Sequence, residues 1–256
     1  MSILCYFECD YHIKNIFGII IVRPTGIELM VKKKLNSYKG KLTPQQIADG
    51  MNAALENARR LVEDAKLLLN AGRFPTAASL AILAIEESGK LSVLRSLALA
   101  RDGGEIKEAW KDYRSHTKKN VTWLLPQLVA QGARKLDDMR PLFDESSEHP
   151  YLLDQIKQIG FYTDCLGQAH WSEPTHVIEE GLAKTIVQVA EIMSKGQKIS
   201  SLEIELWIKH IKPVWKKDLS WMKQALVNWR LEMKEKGLAK DDDNGMERFV
   251  REGLKS

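Results

Sequence analysis

Cysteine is scarce in this 256-residue chain, which contains only Cys5, Cys9 and Cys165. An odd number of cysteines without a CxxC pair fits neither a disulfide framework nor a common type of zinc site. Free thiols persist where the compartment is reducing. We therefore expect a cytoplasmic protein that is not held together by disulfides.

Long hydrophobic runs are also missing. The apolar stretch near the N-terminus, NIFGIIIV at residues 15–22, is far too short to cross a bilayer, so we expect no membrane partner. The chain has no glycine-rich phosphate loop and no HExxH or GxSxG motif. The common signatures of nucleotide-binding proteins, metalloproteases and serine hydrolases are therefore absent.

Neither sign of charge dominates the chain. Lysine and arginine exceed aspartate and glutamate only slightly, and the formal net charge is +4. A mildly basic balance permits contact with RNA or another anionic surface but does not require it.

The hydrophobic pattern is helical from residue 43 onward. Residues 43–46, TPQQ, form a capping-box pattern with proline at the first helical position. Pro150 is expected to open a later helix that Gly160 ends, and residues 161–174 look irregular. With at most one strand, the sequence predicts an all-α helical bundle.

The pattern also suggests three parts of the chain. Residues 1–42 are predicted to be an N-terminal extension, either a short strand or disordered, and we hypothesise that residues 1–29 are dispensable. Residues 43–196 would form the bundle. Residues 197–256 would add a C-terminal extension with one long helix, bent at Pro213. That helix would carry four of the seven tryptophans, namely Trp207, Trp215, Trp221 and Trp229.

Residues 80–94, LAILAIEESGKLSVL, place Glu86, Glu87 and Lys90 inside a nearly continuous apolar run. Helical spacing aligns Glu87 with four leucines, so we expect Glu87 to be the more buried carboxylate. A buried carboxylate must be paired with a cation or neutralised. The alternative is structural: Glu86 and Lys90 form a simple helix pair, and Glu87 lies at a half-wet boundary.

A second candidate segment, KDYRSHTKKN at residues 111–120, surrounds a histidine with cations. Histidine transfers protons near neutral pH, and neighbouring cations can hold a phosphate. The segment lies on a third predicted helix, which begins near Glu105. If that helix packs antiparallel to the second, which Pro75 opens and which carries residues 80–94, Glu87 would pair with one of these cations. The alternative is a solvated basic face with an ordinary histidine. The candidate residues are Lys111, Arg114, His116, Lys118 and Lys119.

The irregular segment at residues 161–174, FYTDCLGQAHWSEP, adds Tyr162 and Asp164 as candidate binding residues. Polar and aromatic residues in irregular segments are often functional. Glu173 and His176 match the ExxH spacing of carboxylate-bridged metal bundles. However, the motif contains a proline and has no second copy, so we reject a metal site there.

Several of these segments occur in an order that resembles the abortive-infection AbiV family, part of the wider HEPN group of helical domains. The resemblance covers residues 43–195. It depends on the pair Asp64-Ala65, the pair Gly72-Arg73, the LAxEExGK pattern ending at Lys90, His116 followed by lysines, and Gly160-x-Tyr162-x-Asp164.

The resemblance implies a HEPN-like bundle in a bacterial antiphage protein that stops infection by disabling the host cell. HEPN relatives are typically ribonucleases that need no metal or other cofactor and act as homodimers, with the active site at the dimer seam. The partners expected on this basis are RNA or the translation machinery and a phage-encoded trigger protein.

The usual HEPN motif is an arginine, four to six residues and then a histidine, and this sequence lacks it. Lys111 precedes His116 by a comparable spacing. For a ribonuclease, the expected catalytic residues are His116, Glu87, Lys111, Arg114 and Lys119, and the expected binding residues are Glu86, Lys90, Lys118, Tyr162 and Asp164.

Two other functions stay open at this point. The first is a non-catalytic protein that blocks translation or senses a phage partner by occupancy. The second is structural, with Glu86, Glu87 and Lys90 holding a dimer seam together.

Overall fold

The computed structural model describes residues 37–143, 147–239 and 245–252. The chain divides into a unit of residues 1–39 and a unit of residues 40–256. In the first unit, the described residues 37–39 form no helix or strand. The predicted strand or disorder near the N-terminus, and the hypothesis about residues 1–29, lie outside the described residues.

The second unit is predominantly helical across its described residues, which confirms the predicted all-α class. Its helices are α1 Pro44–Asn70, α2 Phe74–Leu99, α3 Gly103–Arg114, α4 His116–Lys119, α5 Leu125–Ala130, α6 His149–Phe161, α7 Pro174–Val177, α8 Glu180–Ser194, α9 Ser201–Ile211, α10 Leu219–Glu235 and α11 Gly245–Arg251. Short 3-10 segments lie at Val121–Leu124, Leu136–Phe143 and Lys212–Val214.

Helix α2 lies at the centre of the bundle because it is apolar on nearly every side. It packs against α1, α6 and α8. Ile82 and Ile85 of α2 contribute to one buried cluster with Val62 of α1 and Ile186 of α8. A polar side chain at a buried position of α2 therefore faces another helix rather than water.

The predicted capping box is confirmed at the start of α1. The Thr43 side chain accepts from the Gln46 amide, and the Gln46 side chain accepts from the Thr43 amide. Gly72 follows α1 with φ +71, a left-handed conformation that favours glycine. The tight turn brings α2 back along α1.

The predicted long C-terminal helix is instead two helices. Helix α9 ends at Ile211, and Pro213 lies in the following 3-10 segment. Helix α10 begins afresh after Asp218, whose side chain accepts from the Ser220 amide. A new N-cap can start a second helix in a new direction, whereas a proline alone would only bend the first.

The expectation that Gly160 ends a helix is wrong, since α6 continues through it to Phe161. A side chain at Gly160 would place its Cβ 2.3 Å from Ser79 Oγ and 3.2 Å from the Pro75 carbonyl oxygen. This glycine is therefore explained by close packing of α6 on α2.

Residues 161–174 also differ from the expected irregular segment. They include an antiparallel hairpin of β1 Asp164–Leu166 and β2 His170–Ser172. In the register, Cys165 lies opposite Trp171.

In the part of the chain that the structure describes, no helix is long and apolar enough to cross a membrane.

Candidate functional site

Glu86, not Glu87, is the buried carboxylate of α2. Glu86 is 3% exposed and lies in a buried row with Ile82, Gly89 and Val93. The leucine row that contains Glu87 is only partly buried, and Glu87 pairs with Lys90 of its own helix at 2.6 Å. The expectation that Glu87 is the more buried residue is therefore wrong, because the less leucine-rich face of α2 meets the neighbouring helices.

Three cations or potential cations from other helices surround Glu86. His116 Nδ1 of α4 lies 2.6 Å from Oε2, and Lys157 Nζ of α6 lies 2.6 Å from Oε1. Lys119 Nζ of α4 lies 3.7 Å from Oε2. The predicted pairing of a buried carboxylate with cations of other helices is thus found, with Glu86 in place of Glu87.

Lys157 is a residue of this site that sequence reasoning missed. Its ammonium also contacts Asp154 Oδ1 of the same helix at 2.7 Å. Lys157 lies three residues before Gly160, so both belong to the face of α6 that approaches α2. This spacing is the signal that could have found it. We call Glu86, His116, Lys119, Asp154 and Lys157 the Glu86 cluster.

The two buried lysines of the Glu86 cluster have opposite pKa shifts. Burial is the largest influence on Lys157 and lowers its pKa, but the close contacts with the Asp154 and Glu86 carboxylates together outweigh it and raise the pKa of this lysine. For Lys119, burial outweighs the attraction of Glu86 and lowers the pKa. Lys157 is therefore the firmer positive charge beside Glu86.

The contact with Glu86 determines how the His116 ring can act. The 2.6 Å separation requires a proton between Nδ1 and Oε2, and we assign it to Nδ1, which then donates to the carboxylate. The His116 side chain is 55% exposed, and Nε2 makes no hydrogen bond to any residue that the structure describes. In a half-exposed imidazole whose Nδ1 contacts a carboxylate, the free nitrogen Nε2 has the arrangement of a general base.

Helix α4 is separate from α3 because Ser115 interrupts the predicted third helix. Ser115 is extended, with φ −80 and ψ 129, and its side chain accepts from the Lys118 amide. Its capping role starts a new short helix. Gly89 allows this helix to approach, because a Cβ there would lie 1.9 Å from the Lys119 carbonyl oxygen. The break and the glycine together bring His116 to Glu86.

Replacing Gly89 with alanine should therefore displace α4. The added methyl meets backbone, which cannot rotate away, so we expect a loss of about 1–3 kcal/mol in the free energy of unfolding. Urea denaturation measures this loss. Gly50→Ala in α1 is the matched control, because its Cβ would lie at an ordinary 3.5 Å from Leu94 Cδ1. Equal stability of the two variants would contradict the proposed close approach.

The exposed cations of the second candidate segment lie near the cluster in sequence but do not pair with Glu86. Lys111, Arg114 and Lys118 are exposed. Arg114 donates to the Trp110 carbonyl oxygen at 2.9 Å. Lys119 differs from them, since its ammonium is buried against Glu86.

The remaining predicted residues lie outside the Glu86 cluster. Lys90 pairs with Glu87 and lies over the Tyr113 ring at 5.3 Å. Tyr162 and Asp164 are exposed at the start of the hairpin. Among the described residues, neither of these two forms a hydrogen bond or ion pair with the cluster.

Glu86, His116 and Asp154 also present one potential metal ligand each, with their ligand atoms within 4.8 Å of one another. Lys157 Nζ already lies 2.6 Å from Glu86 and 2.7 Å from Asp154. The two carboxylates are therefore neutralised by an internal ammonium, in the position where a bound cation would contact both.

Comparison with protein families decides the identity of this bundle. The HEPN_AbiV family, described as AbiV, matches residues 46–195, which is more than half of the chain. The chain belongs to the AbiV family. It is therefore a HEPN-type protein of an abortive-infection family. All residues of the Glu86 cluster fall within the AbiV match, whereas α9 and α10 follow it. Searches of curated proteins and of solved structures return no match.

Proposed function

We propose that this AbiV protein is an antiphage ribonuclease of the bacterial cytoplasm that cleaves RNA without a metal ion. The observation that carries the proposal is the 2.6 Å contact between His116 Nδ1 and Glu86, which leaves Nε2 exposed and unbonded among the described residues. Glu86 thereby replaces Glu87 as the carboxylate that orients the catalytic histidine.

In the proposed reaction, His116 Nε2 takes the proton of an RNA 2′-hydroxyl. The 2′-oxygen attacks the adjacent phosphorus, and the bond from phosphorus to the 5′-oxygen breaks. The 5′-oxygen leaves with a proton from water, and the hydroxide that remains takes the proton from His116 Nε2, which restores the neutral imidazole. The products are a 2′,3′-cyclic phosphate and a 5′-hydroxyl, so atoms and charge balance without a metal or a further cofactor.

Exposed cations near His116 would hold the phosphate. Lys118 and Lys111 suit this role because they are exposed, and Arg114 is exposed beside them. Lys119 suits it less, since its ammonium is buried against Glu86. Unpaired RNA loops are the favoured substrate, because their 2′-hydroxyls and bases are accessible.

A second candidate function is a binding protein that blocks translation, or senses a phage partner, by occupancy. The observation that favours it is the missing arginine of the usual HEPN motif, for which Lys111 offers a charge but no bidentate grip on a phosphate. We further propose a homodimer and a phage-encoded trigger protein as partners in either case.

Incubation of the purified full-length protein with total RNA and EDTA tests the proposal. We expect RNA fragments that end in 2′,3′-cyclic phosphates, formed at an unchanged rate in the presence of the chelator. A parallel translation reaction without added phage protein provides the comparison. A stoichiometric block of translation without fragments would reject the ribonuclease and support the binding protein.

A further inference from the structure

We infer that Lys157 is a positioning residue, whose ammonium fixes the Glu86 carboxylate so that Oε2 faces Nδ1 of His116. A carboxylate has two equivalent oxygens and can rotate about the bond that carries it. Lys157 holds Oε1 at 2.6 Å, which leaves Oε2 for the imidazole, and the same ammonium lies 3.3 Å from His116 Nδ1. Only one part of the test, the change in kcat for RNA cleavage, rests on the proposed function.

Lys157 is itself held firmly enough to act in this way. Asp154 contacts its ammonium from one turn earlier in α6, at 2.7 Å. The backbone carbonyl oxygen of Lys157 accepts a hydrogen bond from Ser79 Oγ of α2 at 3.3 Å, and Gly160 packs against the same serine. Backbone and side chain of Lys157 are therefore both fixed to α2, and its side chain is 6% exposed.

Lys119 does not offer the same restraint, although it is also buried beside Glu86. It lies on Oε2, the oxygen that His116 uses, at 3.7 Å, which is beyond hydrogen-bond distance. Lys119 therefore adds positive charge without fixing the orientation of the carboxylate. This difference makes it the matched control for the orienting role of Lys157.

The test compares Lys157→Met with the wild type in the full chain. We expect kcat for RNA cleavage to fall by about 10- to 100-fold with little change in KM, because the catalytic histidine loses its alignment. The ¹⁵N shifts of the His116 ring should change from the single Nδ1–H tautomer to a mixture. Lys119→Met should keep the single tautomer, and Lys184→Met, in an exposed pair of α8, serves as the activity control.

Lys157→Met leaves the Glu86 and Asp154 carboxylates without their shared cation and could unfold the protein. A second, milder variant therefore keeps the inference testable. Asp154→Asn acts at a side chain that is 29% exposed and should loosen Lys157, with a smaller tautomer change in the same direction. An unchanged tautomer in both variants, or an equal change in Lys119→Met, overturns the inference. If the wild type does not cleave RNA, the proposed function fails, but the ¹⁵N shifts still decide the role of Lys157.

Discussion

Replacing His116 with alanine is expected to lower the rate of RNA cleavage by about 100-fold or more. The substitution removes the exposed Nε2 that would take the 2′-hydroxyl proton. Folding should persist, because the side chain is half exposed and Lys157 still neutralises Glu86. RNA fragment yield measures the activity, and the helical circular dichroism spectrum checks the fold. Toxicity of the expressed protein should fall in parallel.

His170→Ala is the matched control for this variant, since His170 is an exposed histidine on the β2 strand. It should cleave RNA at the wild-type rate when purified in the same way. A preparation of His116→Ala that still cuts RNA would remove His116 from the mechanism. Equal loss in the two histidine variants would point instead to a general effect on the protein.

The elements that depend on local chemistry could be predicted from the sequence. The side chains of Thr43 and Gln46 each accept from the other residue's backbone amide within one turn, so residues 43–46 are enough to predict the start of α1. The requirement that a carboxylate in an apolar run meets a cation is equally general, and Glu86 meets it.

The identity of the buried carboxylate could not be predicted in this way. Counting apolar neighbours favoured Glu87, whose row contains four leucines. The outcome depends instead on which face of α2 other helices approach, and Gly89 permits the backbone of Lys119 to come closest on the other row. A small residue in a row can therefore indicate burial more reliably than large apolar ones, because it marks where two backbones meet.

Lys157 was missed for a related reason. A lysine side chain normally lies in solvent, and the close approach of α6 to α2 at Gly160 buries this one. Likewise, the division between α3 and α4 depends on Ser115 capping a new helix rather than continuing the old one. The burial of Lys157 depends on a tertiary contact and the break at Ser115 on a local hydrogen bond, and hydrophobic periodicity shows neither.

Glu86→Ala is expected to lower the free energy of unfolding by about 3–5 kcal/mol, because it leaves buried cations without their shared carboxylate. Lys157 would keep only Asp154, and Lys119 would keep no ion pair among the described residues. Urea denaturation monitored by circular dichroism measures the loss. Glu86→Gln retains the shape of the side chain and should be less destabilising than alanine. It should still lower RNA cleavage, because a neutral amide in place of the carboxylate accepts more weakly from His116 Nδ1.

Glu87→Gln is the control that separates the two adjacent carboxylates. Glu87 is 19% exposed, and its one ion pair among the described residues is with Lys90 of its own helix, so its loss should cost about 0–1 kcal/mol. Size-exclusion chromatography of the same variant tests whether Glu87 holds a dimer seam, in which case the oligomeric state would change before stability or activity. A loss of stability in Glu87→Gln as large as that in Glu86→Ala would contradict the central place given to Glu86, since the two residues differ by one position and by the helices that they face.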